Sequence, residues 1–259
     1  MGFIIDTHIH IGLGGNFFVP YNSLKQILSL LDYLNIEKSI SSHWLWLNGY
    51  LEEGLEESIK VYNLSGQRIY FLGVFDPNDS ALSIKILEKA IKEPGFLGIK
   101  IHPSFHNLSA DDAGYESVWE FASKNNFPLL THSWSTSSYN PSQRLSCPEK
   151  FLSYIKKYPE VKIIFAHAGG RGDGRKQLIK IVNEFPNVYL DFAGDIYCYG
   201  LVSDLLNVIS EDKIVFGSDL PMIDPRANLT RIILANIPED TKIKILRNNA
   251  LNIYKLEKK

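Results

Sequence analysis

The chain has 259 residues, 45% of them hydrophobic, and a formal net charge of −2. A chain of this size can bury a sizeable core, and its near-neutral balance excludes any bulk electrostatic pull toward nucleic acid or acidic membrane. The two cysteines, Cys147 and Cys198, form neither a metal-type pair nor a disulfide framework. No apolar run approaches the roughly 18 residues of a membrane span. The first eleven residues lack a secretory pattern, and Asp6 stands where the myristoylation pattern beginning at Gly2 needs Ser or Thr. The expectation is a soluble, cytoplasmic protein that acts on a small molecule and binds neither nucleic acid nor membrane.

In chain order, the first strand is FIIDTHIH, Phe3 to His10. Side chains alternate along a strand, so Asp6, His8 and His10 share one face at its C-terminal end. A glycine-rich loop, Gly12 to Asn16, leads to a helix starting near Asn22 or Ser23. Leu24, Ile27, Leu28, Leu31 and Leu34 give that helix its buried stripe. Further strands are predicted at 36–43, 68–76, 96–102, 127–132, 161–167, 187–193 and 213–219. Helical patterns lie between them: 52–62, a stretch from Asp79 or Ser80 to Pro94-Gly95, 115–124, 148–158, a stripe over Leu178, Ile181, Val182 and Phe185, and 200–209. The longest irregular segment is 133–147. Runs such as IIF and IVF are apolar on both faces, as strands covered by helices must be. Eight strand-then-helix units without a linker predict one α/β domain, residues 1–259, folded as a (β/α)8 barrel. A doubly wound open sheet is the competing architecture.

The seven histidines are not scattered. Residues 8, 10, 43, 102, 132 and 167 fall at or next to predicted strand ends, and only His106 does not. In a (β/α)8 barrel the C-terminal strand ends converge on one face, where active sites are built. His8, His10, His132 and His167 therefore meet there with Asp219 from the eighth strand. Imidazole nitrogen and carboxylate oxygen are good ligands for zinc and similar ions.

Five features together, DTHIH at 6–10, the strand-end His132, HAGG at 167–170, GSDLP at 217–221 and the closing NNALNIYKL from Asn248, resemble the amidohydrolase superfamily. The likeness is to the branch of aminocarboxymuconate-semialdehyde decarboxylase and related lactonases, amidohydrolase family 2. The resemblance implies a metal held by His8, His10, His132 and Asp219, with His167 beside a metal-bound water. A bound metal lowers the pKa of water toward about 7, and Asp219 is placed to take that proton and return it to a leaving group. The first expectation is a hydrolase of a lactone, ester or amide. The alternative is a non-oxidative decarboxylase of a small unsaturated or aromatic acid, using nearly the same ligands. A TatD-like phosphodiesterase shares the DTHxH opening, but GIKIHP stands here in place of its glutamate-bearing middle segment. A non-catalytic binding barrel ranks last, since nothing obvious is missing from the ligand set.

One divalent ion, zinc, is expected, and two if Lys100 is carbamylated as in some superfamily members. Asp6 is expected behind His8, orienting a ligand histidine. Lys100, His102, Trp134, Arg144 and Arg171 are candidate substrate contacts, with Arg175 and Arg226 as further cations and Trp44, Trp46, Tyr139, Tyr197 and Tyr199 as further walls. Arginines favour a carboxylate-bearing substrate. GGRGDG at 169–174 lacks the Lys-Ser/Thr of a phosphate loop. His43 and His106 are read as packing or surface residues. Self-association is expected from the family likeness alone.

Overall fold

A computed structural model describes residues 2–14 and 18–256. Eight parallel strands run in the order of the sequence: β1 Ile4–Ile11, β2 Ile36–His43, β3 Ile69–Val74, β4 Phe96–Ile101, β5 Leu129–Thr131, β6 Ile163–Phe165, β7 Val188–Asp191 and β8 Ile214–Val215. Around them lie α1 Leu24–Tyr33, α2 Leu51–Leu64, α3 Ser80–Ala90, α4 Glu116–Asn125, α5 Leu152–Lys157, α6 Asp173–Glu184, α7 Leu201–Leu206 and α8 Pro225–Ile233. This is the (β/α)8 barrel, and the open-sheet alternative is excluded. Of the predicted Gly12–Asn16 loop, the last two residues lie outside the described ones.

Closure is made by the chain after β8. Thr7 N–H donates to Phe216 O at 2.9 Å, Asp219 N–H to His8 O at 2.8 Å and His10 N–H to Leu220 O at 2.6 Å. The segment that seals the barrel thus carries Asp219 and lies against the strand that carries both β1 histidines.

Local chemistry explains the element starts. Ser23 and Gln26 form a reciprocal cap at the head of α1, and Asp79 accepts from Leu82 N–H to start α3. Pro148 opens a tight turn, Pro148–Phe151, so the predicted 148–158 helix begins late as α5.

Strand parity sorts the interior by height. Ile40, Leu72, Leu130, Ile164 and Val215 form one buried apolar cluster, closed by Ile253 and Tyr254 of the last helix, Asn249–Tyr254. Asp6, His8, His10, Lys100, Asp191 and His132 are buried as well, and they stand toward the C-terminal strand ends. The outward strand residues, such as Ile99, Ile101 and Phe165, join the larger cluster under the helices. Strands β5 to β8 are shorter than predicted because the chain leaves the ladder early to aim its last residues at the axis. Ala166–Gly169 is a tight turn with His167 (φ 61°) and Ala168 (φ 47°) in the left-handed region. Among the described residues, no helix is long and apolar enough to cross a membrane.

Candidate metal centre

His8 and His10 stand two residues apart on β1, and each is oriented through Nδ1. His10 Nδ1–H donates to the carbonyl of Ser42 at 3.1 Å. A carbonyl can only accept, so Nδ1 holds the hydrogen and Nε2 is a bare lone pair. His8 Nδ1 lies 2.9 Å from Asp191 Oδ2, which leaves Nε2 as its free nitrogen too. Burial pushes His10 down and His8 well below the usual imidazole range, so both stay neutral. Asp219 Oδ1 faces the same point, 3.4 Å from His10 Nε2 and 3.7 Å from His8 Nε2. Burial alone raises the Asp219 carboxyl, but His10, His167 and His8 outweigh it and hold the group below the ordinary carboxylate range.

The three donor atoms lie within 4.8 Å of one another. Two imidazole lone pairs and a carboxylate aimed at one buried point repel one another unless a cation lies among them. The donor set fits a divalent ion. Lys100 meets part of that demand, its Nζ donating to His8 Nε2 at 3.1 Å. Burial pushes the ammonium down to about 8, against the pull of Asp191 and Asp219.

Asp6 sits one layer deeper, as its place on β1 predicts, but it grips backbone. Its Oδ1 accepts from Ser218 N–H at 3.0 Å and His8 N–H at 3.2 Å. It ties the two segments that bear the donors, while the imidazole of His8 is held by Asp191. Burial raises the Asp6 carboxyl to about 7, with Ser218 and the His8 backbone opposing.

A second cluster adjoins the first. The ring centroid of His167 lies 5.3 Å from that of His8, and His167 Nε2 is 3.1 Å from His132 Nδ1. His132 Nε2–H donates to Gln143 Oε1 at 2.8 Å. His102 stacks on His132 at 4.1 Å and Trp134 stacks on it at 6.1 Å. His132 is therefore partnered with His167 and is not one of the three donors that share the 4.8 Å neighbourhood. His102 Nδ1 accepts from Phe105 N–H at 3.1 Å, capping the turn Pro103–His106.

Trp44 lies against His10 (5.2 Å) with Phe105 behind it (6.2 Å), and Trp134 lies 5.5 Å from His167. A cavity of about 300 Å³ opens beside Trp134, lined also by Tyr139 and Arg171. The arginines stand further out. Arg144 is exposed, Arg171 pairs with Asp195 at 3.1 Å, Arg226 pairs with Asp224, and Arg175 donates to Gly170 O at 2.7 Å. Trp46 is core, and Tyr139 and Tyr199 are exposed. Tyr197 lies under the guanidinium of Arg231. His43 accepts from Leu45 N–H at 3.2 Å, and His106 Nε2 lies 3.4 Å from Leu47 O, so both buried rings serve local packing.

Sequence reasoning missed Asp191, Gln143 and Ser42. Asp191 ends β7 as the histidines end their strands, and counting only imidazoles passes over it. The other two carried no signal: Ser42 acts through its carbonyl, and Gln143 lies in the irregular segment.

The amidohydrolase family model matches residues 60–256. The chain belongs to amidohydrolase family 2, a family of enzymes. A 2-amino-3-carboxymuconate-6-semialdehyde decarboxylase of Dictyostelium discoideum is 24% identical over 248 residues, covering 82% of this chain and 66% of that one. A gamma-resorcylate decarboxylase of Polaromonas sp. strain JS666 is 27% identical over 227 residues, covering 70% and 68%. The chain thus spans about two thirds of the length of these relatives. Among solved structures, a dihydroxybenzoic acid decarboxylase of Polaromonas sp. JS666, with bound manganese and the inhibitor 2-nitroresorcinol, superposes with a TM-score of 0.77. It is 19% identical, with 100% of this chain and 98% of that chain covered. These findings overturn the hydrolase expectation: the relatives are decarboxylases, which the sequence reading held as its alternative.

Proposed function

We propose that this chain is a metal-dependent, non-oxidative decarboxylase of small planar acids, aromatic or conjugated. The carrying observation is the convergence of His8 Nε2, His10 Nε2 and Asp219 Oδ1 on one buried point with both imidazole hydrogens turned away. These residues would hold a single divalent ion. Zinc suits imidazole and carboxylate donors, and manganese is the ion named with a solved neighbour. Bound there, the ion supplies positive charge for the oxygens of an acid.

The remaining chemistry belongs to the chain. Exchanging a carboxylate for hydrogen needs one proton delivered to carbon while the C–C bonding pair returns to the conjugated system and CO2 departs. No water is consumed. His167 Nε2 and His132 Nδ1 stand 3.1 Å apart, within reach for a proton to pass between them, with Gln143 fixing the far nitrogen of His132. We assign the proton delivery to His167, with His132 as its reserve, and ligation to Asp219 beside His8 and His10. Trp44 beside His10 and Trp134 beside His167 offer flat apolar faces, suited to a planar substrate. Lys100 is the buried cation nearest the donor atoms and would pair with the substrate carboxylate as it binds, before CO2 departs.

The test is to load the protein with Mn2+ or Zn2+ and offer dihydroxybenzoates, 5-carboxyvanillate and 2-amino-3-carboxymuconate 6-semialdehyde. CO2 release from one of them, with one solvent deuterium entering the vacated carbon in D2O, is the expected result. No CO2 from any of these acids would overturn the reading.

A further inference from the structure

We infer that Asp191 is the positioning residue of this site, setting the tautomer of His8 with one carboxylate oxygen and the backbone seat of His167 with the other. The inference rests on the metal-dependent reading above and deepens it. Asp191 is fully buried at the end of β7. Its Oδ2 takes the Nδ1 hydrogen of His8 at 2.9 Å. Its Oδ1 accepts from His167 N–H at 2.8 Å and from Ala193 N–H at 2.9 Å. Both carboxylate oxygens are thus engaged inside the protein, and neither faces solvent.

Two consequences follow from elementary chemistry. An imidazole offers a metal only the nitrogen that lacks a hydrogen. By holding the hydrogen on Nδ1, Asp191 keeps Nε2 of His8 bare and turned toward Asp219. On the other side, His167 is a non-glycine residue in the left-handed region, followed by Ala168 in the same region. Such a pair persists only when its surroundings hold it. The hydrogen bond from His167 N–H to Asp191 does so at the first of the two residues.

The space for this carboxylate is made by glycines. A Cβ at Gly217 would stand 2.8 Å from His8 Cβ and 3.1 Å from Asp191 Oδ2, and one at Gly194 would stand 2.5 Å from His167 Nδ1. Gly217 allows Asp191 and His8 to approach each other, and Gly194 leaves room for the His167 ring.

Asp191→Asn separates the two roles. Its amide oxygen can still accept from His167 and Ala193, but its NH2 then faces His8 Nδ1. That contact forces the hydrogen of His8 onto Nε2, the nitrogen a metal needs. Measured by chelator competition with Mn2+ and Zn2+, D191N should bind about 10–100-fold more weakly than wild type. In the apo protein, 15N shifts of His8 should report the Nδ1–H tautomer in wild type and the Nε2–H tautomer in D191N. The His167 amide should stay protected from hydrogen exchange in D191N. Gly217→Ala, which wedges the same pair apart without touching the carboxylate, should weaken metal binding in the same direction. On a His8→Ala background, D191N should add no further loss.

Unchanged metal affinity together with an unchanged His8 tautomer in D191N overturns the inference. So does an equal loss from D191N with His8 absent, since Asp191 would then act by another route. A wild-type protein that takes up neither ion overturns the metal reading instead, and the tautomer and exchange measurements then decide the role of Asp191 by themselves.

Discussion

The two halves of the site are built in contrasting ways. His8 and His10 project from the eight-residue, fully buried β1, whose pairing runs along β2 on one side and along the 216–220 segment on the other. His132 and His167 lie beyond the three-residue strands β5 and β6, where the backbone turns sharply and His167 takes a left-handed conformation. A long strand sets side-chain direction by simple alternation and leaves little freedom to its residues. A tight turn sets direction through individual hydrogen bonds, here to Asp191 and Gln143. On the proposed function, ligation, which needs fixed donor atoms, falls to the first kind of support. Proton handling, which needs two rings within reach of one another, falls to the second.

The sharpest way to break this division is to remove one group from each side. Asp219→Asn or His10→Ala should cut metal affinity by orders of magnitude, to a weak residual binding, and abolish turnover, while far-ultraviolet circular dichroism stays that of the wild type. His167→Asn should retain the metal, measured by elemental analysis of the dialysed protein, yet lower kcat by about 10²–10⁴-fold, the usual worth of a positioned acid or base. Loss of metal from the His167 variant, or retained turnover in the Asp219 variant, would merge the two halves into one.

The division also decides what could be read from the sequence. Alternation along FIIDTHIH placed Asp6, His8 and His10 on one face without reference to any other residue, and the eight strand-then-helix units gave the barrel. The GSDLP segment could be assigned to the eighth strand end, though not as the strip that closes the barrel, because closure is a pairing over about two hundred residues. The partners of the turn-borne half were not readable. Nothing local in NPSQRLSC, residues 140–147, marks a glutamine that reaches an imidazole, and an aspartate ending β7 looks like any other strand-end acid. The expected four-residue ligand set including His132 likewise came from likeness, and in the structure that ring pairs with His167. Substrate chemistry was the least readable, since hydrolysis and decarboxylation ask for nearly the same donors.

A milder perturbation should sharpen the contrast within the turn-borne half. Gly194→Ala puts a methyl against His167 Nδ1, and Gly194 itself has φ +79°. The expected result is a fall of about tenfold in kcat, of the order of 1–2 kcal/mol in transition-state terms, with metal affinity unchanged. A matching loss of metal would mean that His167 and the donor atoms move as a unit.

The last effect falls on the strand-borne half and is read as stability, with turnover at neutral pH untouched. His43 ends β2, is buried, and accepts Leu45 N–H through Nδ1. Burial pushes it down to about 4 from an ordinary 6.5, with Glu57 opposing. The unfolded chain therefore binds the extra proton between these two values. The contribution of His43 is complete above about pH 6.5 and is lost as pH falls toward 4, by about 3 kcal/mol. Other buried imidazoles, among them His8 and His102, shift in the same direction, so wild-type urea midpoints should drop steeply between pH 7.5 and 5. His43→Asn keeps a side chain that can accept the Leu45 hydrogen but cannot titrate. Its midpoint at pH 7.5 should stay near that of the wild type while the acid-side slope becomes shallower by one proton's share. An unchanged slope would place the acid sensitivity wholly in the imidazoles around the metal centre, and the β2 end would then be a passive support.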